Sequence, residues 1–319
     1  MRLLRIMLFG VLVGAAIVAP SASAKVAGPN GRIVFGREDF AHDLTIVYTA
    51  NPDGSHVKRL LPAGIGAGSP HWSPDGSRIA VGSALDTPCC DIFPYSAVIV
   101  NPDTGAYRTL PMQSGRVTTF CTIWSPNARR LACEGFNDND SSPNGVYTIR
   151  SSDGGDLTRI TNSGGGSDIP IDYSPDGTRI LYAHSVGEDD PQAALWMVDV
   201  DGTHKHQLTP NGFFDDDGSW SPDGRWIAFE HNGSLVAIHP NGTRLHTIRL
   251  KACRLVGAGD VVWSPNGRKI TFLLVTKTGP GSFREGIATA NADGSNVHWV
   301  TTSPSFDHQT DWGPHPRIR

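Results

Sequence analysis

Apolar positions in this chain come as short β-rich runs bounded by turn residues, with no stretch at helical spacing past the first residues. Six such runs are Thr45-Ile-Val-Tyr48, Ala97-Val-Ile-Val100, Val146-Tyr-Thr-Ile149, Leu195-Trp-Met-Val198, Leu235-Val-Ala-Ile238 and Ile287-Ala-Thr-Ala290. Each leads into a turn with Asp-Gly or a close variant: Asp53-Gly54, Asp103-Thr-Gly105, Asp153-Gly154, Asp201-Gly202, Asn241-Gly242 and Asp293-Gly294. These dipeptides favour the left-handed backbone of tight hairpins. A further strand follows each turn, as in Lys58-Arg-Leu-Leu61 and Thr158-Arg-Ile-Thr161.

A second phrase alternates with the first: an aromatic, Ser-Pro-Asp/Asn, usually Gly, then another β-rich run. It occurs at Trp72, Trp124, Tyr173, Trp220 and Trp263, with the prolines 43 to 52 residues apart. Proline presets φ for the second turn position, and Asp or Asn tolerates the third. The aromatic therefore ends one strand and the run after the turn begins the next. Half-copies lie at the two ends. Pro29-Asn-Gly31 leads into Arg32-Ile-Val-Phe35 without a preceding aromatic, and Asp311-Trp312-Gly-Pro314 has the aromatic without a following strand. Together they make a sixth repeat.

Four strands repeated six times predict an all-β, six-bladed β-propeller with four antiparallel strands per blade. The segment around Trp312 is expected to be the innermost strand of the blade that the N-terminus continues, closing the ring. The Trp-Ser-Pro-Asp-Gly phrase, followed by Asp-Gly-Ser/Thr, resembles the TolB-type (WD40-like, PD40) propeller repeat over residues 28 to 319. That resemblance implies a propeller fold and leaves function to sites on it. TolB itself carries an α/β domain before its propeller, which is not read here. The related prolyl-oligopeptidase-like propellers are joined to a hydrolase domain with a Gly-x-Ser-x-Gly nucleophile, and this sequence has no such pentapeptide.

Arg2 and Arg5, the apolar stretch from Ile6 to Val18, and Ala22-Ser23-Ala24 read as a secretory signal peptide. Residues 1–24 are thus expected to be removed, leaving 25–319 as the propeller, secreted or periplasmic, with no membrane span. A net charge of −4 gives no basic footprint for nucleic acid. Export permits disulfides. Of the five cysteines, Cys121 and Cys133 flank the Trp124 hairpin and are a candidate bridge, while Cys89, Cys90 and Cys253 have no assigned pairing.

Alternating hairpins sort the loops into a smooth face, carrying the short turns, and an irregular face, where binding is expected. The irregular loops are acidic: Asn137-Asp-Asn-Asp140, Glu188-Asp-Asp190 and Asp215-Asp-Asp217. Asp168, Asp215 and Asp307 share one offset, five residues before the aromatic, and are expected to gather at the channel mouth. Asp217 and Asp260 lie two residues further in, and Glu134, Glu230, His184 and His231 stand near the tops of second strands. Such a set suits calcium or another divalent cation, or a basic or polyhydroxylated ligand; the structural reading is that the acids bond to loop amides. The leading reading is a monomeric, non-enzymatic binding or scaffold propeller that engages a protein segment or small polar ligand outside the cytoplasm. The alternative is a metal-assisted hydrolase or lyase acting on a carbohydrate or lactone.

Overall fold

The computed structural model describes residues 28–42, 44–62, 65–85, 95–113, 117–137, 140–187, 192–301 and 306–315. Cys89, Cys90, Asp138, Asn139, residues 188–190 and the signal-peptide segment lie outside them. The strands run in chain order as β1 (Asn30–Asp39), β2 (Leu44–Ala50), β3 (Lys58–Arg59), β4 (Ile65–Trp72), β5 (Ile79–Leu85), β6 (Tyr95–Val100), β7 (Tyr107–Pro111) and β8 (Thr118–Trp124). They continue as β9 (Arg130–Phe136), β10 (Gly145–Arg150), β11 (Thr158–Arg159), β12 (Ser167–Tyr173), β13 (Arg179–Ser185), β14 (Ala194–Asp199), β15 (His206–Gln207) and β16 (Asp215–Trp220). The last are β17 (Ile227–His231), β18 (Ser234–Ile238), β19 (His246–Thr247), β20 (Leu255–Trp263), β21 (Lys269–Gly279), β22 (Ser282–Asn291), β23 (His298–Trp299) and β24 (Asp307–Pro314).

They form six four-stranded antiparallel sheets, the blades of a propeller. The first blade is β24-β1-β2-β3, so the last strand of the chain is the inner strand of the blade that the first strand continues. Blades two to six are β4–β7, β8–β11, β12–β15, β16–β19 and β20–β23. No helix of the described residues is long and apolar enough to cross a membrane.

The repeated Ser-Pro-Asp/Asn phrase folds as it does because serine serves the turn twice. In the Trp220 copy, Ser221 Oγ accepts the Trp226 amide at 2.9 Å and donates to Asp223 Oδ1 at 2.7 Å. The same pair of bonds recurs at Ser73, Ser125, Ser174 and Ser264. All five serines are buried, so their hydroxyls must be satisfied within the turn.

The core is distributed between blades. Buried apolar side chains form six clusters, each drawing on two neighbouring sheets. The repeat aromatics Trp72, Trp124, Tyr173, Trp220, Trp263 and Trp312 are all buried and are packing residues. Arg32, Arg78 and Arg179 lie 5.5, 5.0 and 5.3 Å over Trp72, Trp124 and Trp220 of the following blade. Cys121 and Cys133, directly opposite in the β8–β9 register, are joined by a disulfide, and Cys253 is exposed.

Candidate functional site

The inner strands carry two tiers of polar side chains with different surroundings. Asp168, Asp215 and Asp307 form the first tier. All three are buried, and each bonds to the residue directly opposite on the second strand of its own blade. Asp168 meets His184 Nδ1 at 2.6 Å and accepts the Thr161 hydroxyl at 2.5 Å. Asp215 meets His231 Nδ1 at 2.5 Å. Asp307 takes Arg37 bidentately at 2.5 and 2.9 Å. These three are intrablade clamps, with His184, His231 and Arg37 as their partners. The reason is a bulge in the register between Asp216 and Ser219 and its counterparts in β12 and β24. One extra residue between the shared offset and the aromatic turns the aspartate onto the aromatic's buried side.

The second tier lies two residues further along. Ser69, Asp217, Asp260 and Gln309 each stand three residues before their aromatic, with φ of 47°, 47°, 51° and 53°. This left-handed backbone is uncommon outside glycine. It aims the side chains along the ring. Asp260 Oδ2 accepts the Gln309 amide at 2.7 Å, Gln309 Oε1 accepts the Ser69 amide at 2.7 Å, and the Asp217 and Asp260 carboxyls are hydrogen-bonded. A belt of polar side chains thus links the neighbouring blades five, six, one and two around the channel.

Below the irregular face the channel holds a cavity of about 170 Å³. Asp216, Asp217, Asp260 and Glu134 line it, with Ile169, Phe120, His71 and Gln309 on its other walls; no lysine or arginine is among the lining residues. Glu230 belongs to the same group: its carboxylate fills the space above Gly259 that a β-carbon would occupy. Burial pushes the Asp216 carboxyl up to about 6, helped by the charges of Asp260 and Asp215. Burial likewise lifts Glu230 to about 7, with Asp260 and Asp216 adding to it. Asp217, although exposed at the cavity, is raised well above the ordinary range by desolvation among the surrounding strands and by Asp216 and Asp260, and Glu134 is raised by burial and Asp216. Desolvation and mutual repulsion act together here, and both favour the protonated form of these carboxyls.

Four of the sequence-derived candidates, Asp217, Asp260, Glu134 and Glu230, thus come together, and Asp168, Asp215, Asp307, His184 and His231 do not join them. Calcium takes six to eight oxygens at short range, and no group of three or more acidic, histidine or cysteine side chains among the described residues is disposed to hold a metal. Sequence reasoning passed over Asp216, and also the apolar rim. Phe213, Phe214, Leu255, Val256 and Phe306 are 37–54% exposed at the irregular-face entries of their inner strands, and Ile169, 39% exposed, continues into the cavity wall. Adjacent phenylalanines directly before an aspartate run, in a connection rather than a strand, were the available signal.

No family model matches the chain. It is 30% identical over 174 residues to the uncharacterized protein Atu1656 of Agrobacterium fabrum, covering 53% of this chain and 52% of that one. It is 26% identical over 214 residues to the uncharacterized peptidase YuxL of Bacillus subtilis, covering 55% of this chain and 32% of that one. The chain therefore spans about half, or less, of the length of these curated relatives. Among solved structures, TolB from Acinetobacter baumannii superposes with a TM-score of 0.68 at 18% identity, over 91% of this chain and 68% of that one. An oligogalacturonate lyase in complex with manganese superposes at 0.54 and 14% identity, over 84% of this chain and 73% of that one. These likenesses establish a TolB-like propeller fold.

Proposed function

We propose that this protein is an exported binding propeller that engages a partner through its irregular face at the channel mouth. In this reading residues 1–24 are the export signal, and residues 25–319 form the functional unit outside the cytoplasm. One observation carries it: an acid-lined cavity without a lysine or arginine opens among solvent-exposed phenylalanines. Clustered exposed apolar surface marks interaction sites, and TolB-like propellers as structural neighbours support a binding role. A photo-crosslinker in place of Phe214, on the irregular face, is expected to give discrete protein adducts in cells. The same probe in place of Tyr107, exposed on the smooth face, is expected to give none. Equal labelling from both positions, or none from either, sinks the proposal.

A metal-assisted hydrolase or lyase is the second reading. It draws on Glu230 and Asp216, whose carboxyls at about 7 and about 6 suit proton transfer near neutrality. Against a polyuronate substrate stands like-charge repulsion from the same carboxylates. Stoichiometric metal in the purified protein, with turnover of a sugar or lactone that Glu230→Gln abolishes, would put this reading first.

A further inference from the structure

Among the described residues, exposed apolar side chains of the irregular face form a crescent. They sit on four consecutive blades and include Ile169 and Val186 on the fourth, Phe213 and Phe214 on the fifth, Leu255, Val256 and Phe283 on the sixth, and Phe40 and Phe306 on the first. The acids overlap these blades. Asp216, Asp217 and Glu230 belong to the fifth blade and Asp260 to the sixth, while Glu134 faces them from the third. Exposed apolar surface and clustered carboxyls thus lie at one mouth of the channel. The two structures arise independently, one from residues at the inner-strand entries and the other from positions beyond the bulge.

The cavity is small. At about 170 Å³ it falls below the roughly 300–1,000 Å³ of sites that enclose a drug-sized ligand. It suits one long side chain entering from above, whose backbone and neighbours then lie on the crescent. A lysine or arginine fits this shape: its methylene stem packs along Ile169 and its charged head reaches the carboxylates. Resting on the reading of this face as a partner-binding surface, we infer that the partner is a polypeptide segment presenting a lysine or arginine flanked by apolar residues, with the cation seated among Asp216, Asp217, Asp260 and Glu230 and the apolar flanks on the phenylalanine crescent. Such binding strengthens as pH rises through about 6 to about 7, where Asp216 and Glu230 lose their protons.

The test is a selection of short displayed peptides on the purified protein, followed by titration of the synthesised winners. The expected winners carry Lys or Arg beside apolar residues. Replacing that Lys by norleucine in the peptide weakens binding by about tenfold or more, as loss of one partner of a desolvated charge pair does. Because this change is made in the peptide, it is immune to misfolding of the protein. On the protein side, Asp216→Asn with Glu230→Gln is expected to remove the preference for Lys over norleucine, and Phe214→Ser to weaken both peptides equally. Winners that lack a basic residue, or that bind as well with norleucine, overturn the cationic partner while leaving a binding face. No enriched peptide, or enriched peptides indifferent to Phe214→Ser and Phe306→Ser, overturn the partner-binding face and this inference together.

Discussion

Asp216 and Glu230 hold protons in the folded channel at pH values where they would be ionised in the unfolded chain. Their ordinary values are 3.8 and 4.5, against about 6 and about 7 here. The folded protein therefore binds more protons than the unfolded one across that window. The stability this contributes is full below the ordinary values and is lost as pH rises through the folded values. The melting temperature should accordingly fall by several degrees between about pH 5 and about pH 8, a loss on the order of a few kcal/mol. Asp216→Asn with Glu230→Gln should flatten the profile; a profile that is already flat, or that rises, contradicts the cavity described here. The sequence made the acids legible as a group but not their division into two tiers. Asp215, Asp216 and Asp217 are consecutive, yet the first is a buried clamp while the other two line the cavity. Side-chain alternation should separate neighbours cleanly, but the bulge breaks the alternation, and no residue type announces a bulge reliably.

Strands and turns were the most readable level. The Ser-Pro-Asp/Asn phrase specifies its hairpin through its own hydroxyl and carboxylate, and local chemistry of that kind is visible in a sequence. The outer strands fell short of the reading. The run Lys58-Arg-Leu-Leu61 forms its ladder through Lys58 and Arg59 and adds one amide bond from Leu60 to the Val47 carbonyl, after which the chain leaves the sheet while Leu60 and Leu61 fill the cluster between the first and second blades. The clamp between strands was less legible still, because its three versions use His184, His231 and Arg37, which share no residue type. Arg37 on β1 and Asp307 on β24 are 270 residues apart, and the carboxylate is fully buried. Arg37→Met leaves that charge uncompensated and should cost about 3–5 kcal/mol in chemical denaturation. Adding Asp307→Leu should recover much of the loss, since a pair of apolar residues replaces the stranded charge. If the double variant is as unstable as the single one, the pair contributes through geometry that apolar residues cannot replace.

At the scale of the whole molecule, six interblade clusters share the stabilisation, so each blade depends on two neighbours and the ring depends on being closed. β24 supplies Trp312, Asp311 and Asp307 to three different kinds of contact. Trp312 Nε1 donates to the Gly31 carbonyl at 3.0 Å, and Asp311 Oδ2 accepts the Trp72 amide of the second blade at 2.8 Å. Ending the chain before Phe306 should abolish the cooperative melting transition instead of lowering it by a few degrees, as near-ultraviolet circular dichroism with heating would reveal. A truncated chain that still melts cooperatively would mean that the first blade stands as three strands.

The same strand order has a consequence in time. β1 leaves the ribosome near the beginning of synthesis and β24 at its end, yet the two must pair before the first blade has an inner edge. Until then every growing chain carries an unfinished sheet at one end and an unfilled seam between its first and sixth blades. Contacts that span nearly the whole chain close slowly. This order of strands delays final compaction until the last residues are available, which would keep the chain threadable through a translocation pore if it is exported as proposed above.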